Sequence, residues 1–308
     1  APRADRDHPV PKSSLSLLQP IFEECREWLA YPQHQSLLED EKTQLQAYLA
    51  TPGQINPKAL LSLKWLAHHS SMAACEAYGR QDLPVLASHL NNAVGYRALV
   101  LRLEAAFSAM TPDTTGGGRP APFKDSANAA APAMLGRWDV AQICAKGFIE
   151  IAEKDQRLRN PGSRRLRHGT LDAFLIGLFS QAFLIETAFQ SIKPIHPVYA
   201  ALLQKWGSPD ATDFVPAMRE ATEFHVSRSR DSTDSVEYEF DSSFTRVFPV
   251  ELLMVQSLRR RDNLPAIEIG HPLVDDAWST ITQLPSVPAN PVLVEMEARV
   301  KNDYPLFR

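Results

Sequence analysis

Residues 78–83, Tyr-Gly-Arg-Gln-Asp-Leu, and residues 135–140, Leu-Gly-Arg-Trp-Asp-Val, share the pattern Gly-Arg-x-Asp. Glycine adopts the left-handed backbone conformation that ends many helices, and aspartate is a preferred cap for the start of the next helix. The pattern therefore predicts a tight turn between two antiparallel helices at each site. The apolar positions downstream also keep step, with Leu86 matching Ile143.

Helical patterns extend outward from these two turns through most of the chain. Apolar residues recur at helical spacing on both sides, while strand-like segments such as 266–269 are too short for a sheet. Residues 171–189 are apolar nearly all round, which predicts a helix buried by neighbours on several sides. The sequence thus predicts an all-α fold of packed antiparallel helical hairpins.

The breaks in the pattern predict the domain organisation. Residues 1–12 are polar and proline-rich, which is typical of a flexible N-terminal arm. Residues 13–308 are then expected to form one all-α domain. Glycines and prolines predict a flexible loop at 111–126, and clustered charges predict a second loop at 228–243.

The internal match at the two Gly-Arg-x-Asp sites has two explanations. It is either a structural repeat, which would give a short tetratricopeptide-like arrangement, or a turn solution that unrelated hairpins share. Two copies fall short of the three or so that a stable helical stack needs. Both explanations stay open from the sequence.

Composition limits the classes of partner and the compartment. The formal net charge of −4 over 308 residues does not predict a nucleic-acid or membrane surface field. The longest apolar run is shorter than the ~17–25 residues that cross a bilayer. The three scattered cysteines suit buried thiols in a reducing compartment. A cytoplasmic location is therefore expected, although removal of a segment upstream of Ala1 stays open.

Catalytic signatures are missing from the sequence. It holds no G-x-S-x-G elbow, H-E-x-x-H, P-loop, C-x-x-C or dinucleotide fingerprint. Asp275 and Asp276 are the nearest approach to a metal motif, but their place in the first turn of a helix suits the helix dipole. We therefore expect no enzyme activity, no cofactor and no bound metal.

Two charged patches are the candidate binding surface. The partner-binding residues predicted from them are the acidic and aromatic Asp231, Asp234, Glu237, Tyr238, Glu239 and Asp241, with the basic Arg157, Arg159, Arg164 and Arg165. An acidic loop with aromatic residues suits docking on a basic protein surface. Two alternatives remain: a solvated connector, and an arginine patch that grips phosphates.

Three segments carry a family resemblance. Gly136-Arg137-Trp138-Asp139-Val140, Phe248-Pro249-Val250-Glu251-Leu252-Leu253 and Ile269-Gly270-His271-Pro272-Leu273 resemble the all-helical immunity proteins of bacterial polymorphic toxin and type VI effector systems, most closely the family called immunity protein forty-nine. The resemblance spans roughly residues 60–290. It implies a protein that binds one cognate toxin and blocks it sterically, with no need for catalytic residues. The near-neutral net charge separately predicts no nucleic-acid and no membrane partner.

Two other functions are weighed against this one. The first is a helical-repeat adaptor that holds a peptide or protein partner in a concave groove. The second is an all-α enzyme whose site is assembled from distant residues, and it would require a cavity that gathers several of Glu76, His68, His225 and Asp275.

Overall fold

A computed structural model describes residues 13–53, 57–113, 123–157 and 168–308. These parts of the chain form thirteen helices and contain no strand, so the predicted all-α class is confirmed. The helices are α1 (Ser14–Ala30), α2 (Pro32–Ala50), α3 (Pro57–Gly79), α4 (Leu83–Met110), α5 (Asp125–Met134), α6 (Trp138–Arg157), α7 (Leu171–Phe183), α8 (Pro197–Lys205), α9 (Ala211–Ser227), α10 (Ser243–Val247), α11 (Val250–Arg261), α12 (Pro272–Thr282) and α13 (Pro291–Asp303).

The hairpin of α3 and α4 lies at the centre of the fold. Helices α1 and α2 pack on α3, the α5–α6 hairpin packs on α4, and α11 packs on α5. Helix α4 contributes to two apolar cores, with Leu90 and Leu101 in the larger one and Leu99 and Leu103 in the smaller one, which α13 closes. Because α4 is covered on both sides, its sequence is apolar nearly all round.

The turn between α3 and α4 uses a residue that the pattern did not single out. Gln81, with φ 56°, is the left-handed residue, and the Asp82 N–H donates to the Ala77 carbonyl over 3.0 Å. Asp82 caps α4, since its Oδ1 accepts from the Val85 N–H at 3.3 Å. Gly79 instead lies within the end of α3, so its predicted role in the turn is wrong.

The turn between α5 and α6 has the same hydrogen-bond pattern as the first turn, but it lies two residues earlier in the Gly-Arg-x-Asp motif. Gly136 is left-handed, with φ 68°, and the Arg137 N–H donates to the Pro132 carbonyl over 2.9 Å. Asp139 therefore lies in the first turn of α6 rather than at its cap. The structural equivalent of Gly136 is therefore Gln81, whereas the sequence match pairs Gly136 with Gly79. A repeat is not confirmed.

Helix α7 is shorter than the predicted span 171–189. It ends at Phe183, and Leu184 follows in the left-handed conformation with φ 54°. The chain beyond is held by side chains of α6, since Glu153 Oε1 accepts from the Ala188 N–H at 2.9 Å. These side-chain acceptors replace the helical hydrogen bonds that the apolar pattern suggested.

The predicted loop 111–126 ends earlier than expected, because the Phe123 side chain is buried and α5 begins at Asp125. The arm predicted at 1–12 lies outside the described residues.

All three cysteines, at 25, 75 and 144, are buried free thiols. Within the described ranges, no helix combines the length and apolar character needed to span a bilayer.

Candidate functional site

The acidic loop, defined as residues 228–242, joins α9 to α10 and agrees with the predicted boundaries to one residue. It carries five carboxylates and two arginines, a formal net charge of −3. Ser232 organises the loop internally. Its hydroxyl accepts from the Tyr238 N–H at 3.0 Å and donates to Asp241 Oδ2 at 2.7 Å. A second internal bond, from the Thr233 N–H to the Val236 carbonyl, closes the tip.

A buried aromatic residue fixes the loop to the core. Phe240 is 1% exposed, and its ring stacks on His225 of α9 with 3.8 Å between ring centroids. The His225 Nδ1 lies 2.7 Å from Glu251 Oε1 of α11, and both side chains are fully buried. The Tyr199 hydroxyl donates to the same carboxylate oxygen at 3.4 Å. Burial, and then the charge of Glu251, raise the pKa of Tyr199 well above its ordinary value.

Glu239 is also buried beneath the loop and is not on its surface. We call Glu239, Phe240 and Asp241, which fix the loop to the rest of the protein, the base of the loop. The Glu239 side chain is 3% exposed and accepts hydrogen bonds from Arg228 Nε and, at 3.0 Å, from Thr170 Oγ1. The Arg228 guanidinium also lies over the Tyr238 ring, 4.4 Å from its centroid, and Arg230 lies at 5.4 Å. Two guanidinium groups therefore lie near the Tyr238 ring at the edge of the loop.

Asp241 anchors the end of the loop to α5. Its carboxylate lies 2.5 Å from Lys124 Nζ and is partly buried. Arg246 of α10 donates to the Phe240 carbonyl at 3.2 Å and to Asp231 Oδ1 at 2.5 Å. These bonds tie both ends of the loop to neighbouring helices, and they define its geometry without a bound partner.

Three carboxylates remain at the outer edge, and we call Asp231, Asp234 and Glu237 the rim. The Asp231 side chain is 91% exposed despite its bond to Arg246, and that of Glu237 is 59% exposed. Asp234 is exposed and has no ion pair within the described ranges. The rim is therefore the part of the acidic loop that a partner can reach.

Only part of the predicted arginine patch is visible. Arg157 ends α6, is exposed, and pairs with Asp113 at 2.9 Å. Arg159, Arg164 and Arg165 lie outside the described residues. His168, which follows them, stacks on Phe123 with centroids 4.0 Å apart and lies 3.5 Å from Glu237 of the rim. His168 therefore contacts both Phe123 and the rim.

The residues behind the loop were missed by sequence reasoning. Asp172 accepts from the His168 and Thr170 N–H groups at 3.3 and 3.0 Å, which fixes the chain that Glu239 packs against. Burial raises the pKa of Asp172, although hydrogen bonds from three backbone N–H groups act in the opposite direction. No sequence signal links Thr170 to Glu239, since 69 residues separate them.

Each of the four residues named for a dispersed catalytic site has a structural partner of its own. Glu76 pairs with Arg80 at 2.7 Å, while His225 lies in the core with Glu251. Asp275 accepts from three backbone N–H groups at 269–271, which accounts for its place at the start of α12. His68 packs instead against the Trp28 ring, 4.8 Å between centroids.

Comparison with protein-family models, curated proteins and solved structures finds no match. The acidic loop combines a buried base, two guanidinium groups near the Tyr238 ring, and a rim of exposed carboxylates.

Proposed function

We propose that this protein binds a basic partner protein through the rim of the acidic loop, and that it acts as an immunity protein that blocks a cognate toxin in the cytoplasm. The observation that carries the proposal is the division of the loop into a buried base and an exposed rim. Glu239, Phe240 and Asp241 hold the loop, while Asp231, Asp234 and Glu237 face solvent. The resemblance to all-helical immunity proteins supplies the class of partner.

The base of the loop favours binding because it holds the rim in place before a partner arrives. Every side chain or loop that must instead be ordered on association weakens binding. The rim here is already positioned by Phe240 in the core and by the Lys124–Asp241 pair. Its three carboxylates lie within seven consecutive residues of one loop, whose formal net charge is −3. The negative field of such a cluster accelerates encounter with a positive surface and fixes the orientation of the complex.

The first experiment tests the pairing itself. The toxin encoded beside this gene is co-expressed with the protein, and complex formation and growth are measured. We expect the two proteins to co-purify and growth to be restored. Failure of both would disprove the proposal.

The second experiment locates the contact. A rim variant carries Asp231→Asn, Asp234→Asn and Glu237→Gln, and a matched control carries Glu23→Gln, Glu24→Gln and Glu27→Gln on exposed positions of α1. We expect the rim variant to bind the toxin at least about tenfold more weakly at low salt, mainly through slower association. The control has the same net charge and should bind normally, so equal losses in both would assign the effect to overall charge.

A further inference from the structure

A cavity of about 170 Å³ lies between α4, α13 and the turn that joins α5 to α6. One water molecule needs only roughly 10–15 Å³ measured in the same way, so the space suits a small molecule. Gly95 of α4 and Leu293 of α13 both line it, and they pack closely, because a Cβ at Gly95 would lie 2.6 Å from Leu293. Neither the fold nor the acidic loop explains a cavity at this position.

The polar side of the cavity is Arg137, the arginine of the second Gly-Arg-x-Asp motif. Its Nη2 donates to Asn91 Oδ1, and its other donors have no hydrogen-bond partner in the part of the chain that the structure describes. No carboxylate pairs with it within the same ranges. Burial lowers the pKa of this guanidinium below the ordinary arginine value. Arg137 is half-buried, so these free donors are accessible from the cavity and can bind a ligand.

The other charges that line the cavity are already neutralised. Arg102 is 6% exposed, pairs with Glu297 at 2.9 Å and donates to the Arg308 carbonyl at 2.5 Å. Burial raises the pKa of Glu297, but the hydrogen bonds from Arg102 and Lys301 outweigh it and bring the pKa to about 2. With this pair balanced, Arg137 leaves one uncompensated positive charge at the cavity wall.

The remaining walls combine apolar side chains with two amides. Val94, Val140, Pro288, Leu293 and Val294 line the cavity, together with Asn92 and Asn290, whose amides bond to each other at 3.0 Å. A cleft with apolar walls and one forked cation at one side selects a ligand with the complementary pattern. We propose that this cavity binds a small organic carboxylate, with its carboxylate on Arg137 and its short hydrocarbon tail against α13. The site is independent of the acidic loop and of the partner proposed for it.

The test uses the full-length protein and butyrate as the probe, with butyramide as a neutral molecule of the same shape and inorganic phosphate as a different anion. Binding is measured by ligand-observed NMR and by titration calorimetry. We expect millimolar butyrate binding, as suits six heavy atoms, and at least about tenfold weaker butyramide binding. Equal binding of the two, binding of phosphate alone, or no binding of butyrate would overturn the proposal.

Arg137→Gln should weaken butyrate binding by about tenfold or more, because the charge and the forked donors are lost. The matched control is Arg80→Gln, which removes the arginine of the first motif, where Glu76 pairs with it on the surface. Arg80→Gln should leave butyrate binding unchanged. Unchanged binding in Arg137→Gln would contradict the assignment.

A third variant guards against misfolding of Arg137→Gln. Val294 is 55% exposed and lines the cavity, so Val294→Glu adds a carboxylate without disturbing the core. This carboxylate should occupy Arg137 and prevent butyrate binding by competition. Retained binding in a folded Val294→Glu protein would also count against the site.

Discussion

The turns after α3 and after α5 carry the same four-residue motif, yet each uses its glycine for a different purpose. Gly79 permits close packing, because a Cβ at this position would lie 2.6 Å from the Phe22 ring of α1. Gly136 permits a positive φ of 68°, and a Cβ there would meet only Trp138, at 4.0 Å. One residue type thus answers a steric constraint between helices in the first case and a backbone constraint within the turn in the second.

The two arginines differ in the same way. Arg80 forms a surface ion pair with Glu76 one turn earlier in α3, whereas Arg137 occupies the position that caps α6 and reaches the cavity. Because the two turns differ by two residues in register, the motif arginine lies on the surface in the first turn and lines the cavity in the second. This shift links the fold to the proposed carboxylate binding.

The largest expected effect comes from giving both glycines the same side chain. Gly79→Leu must displace the buried Phe22 ring, so we expect a loss of about 3 kcal/mol in the free energy of unfolding. At Gly136 the leucine side chain has open space, so Gly136→Leu should lose only the cost of the left-handed backbone, about 1–2 kcal/mol in the free energy of unfolding. Urea unfolding of both variants measures the difference. Equal losses would show that the two glycines serve one purpose.

The class of the fold was accessible from the sequence because helical periodicity and turn residues are local signals. The register of the turns was not. Glutamine rarely takes a positive φ, so Gln81 gave no sign of being the left-handed residue. The end of α7 at Phe183 was also hidden, because the acceptor that holds the following chain, Glu153, belongs to another helix.

The acidic loop shows the same limit at the candidate site. Its boundaries were predicted to one residue, but the separate roles of Glu237 and Glu239 were not. These carboxylates are two residues apart and differ in exposure. Glu239 is buried because Thr170 and Arg228 donate hydrogen bonds to it. Burial of a charged residue depends on such distant partners, and the cavity at Arg137 depends on α4, α13 and the turn between α5 and α6, which are far apart in the sequence.

An intermediate effect is expected at the two aspartates. Asp82→Ala removes the cap of α4, whose Oδ1 accepts from the Val85 N–H, and should cost about 1 kcal/mol. Asp139→Ala removes a charge near the start of α6 without breaking a cap, and should cost about 0.3–0.5 kcal/mol. Unfolding at 0.1 M and 1 M NaCl distinguishes them, since the charge effect is screened and the cap is not. A larger loss for Asp139→Ala would reverse the assignment of the two turns.

The smallest effect is expected for Gln81→Gly, which gives the first turn the residue that the second turn uses. Glycine relieves left-handed strain of about 1 kcal/mol. Two losses oppose this gain: the unfolded chain becomes more flexible by about 0.4–1 kcal/mol, and the 2.8 Å hydrogen bond from Gln81 Nε2 to the Tyr78 carbonyl disappears. We therefore expect a net change within about 0.5 kcal/mol in urea unfolding. Gln81→Val is the matched contrast. A β-branched side chain is more strained than glutamine at φ 56° and lacks the hydrogen bond, so this variant should lose more than about 1 kcal/mol. If valine were tolerated as well as glycine, Gln81 would not be the left-handed residue, and the two motifs would turn in the same register after all.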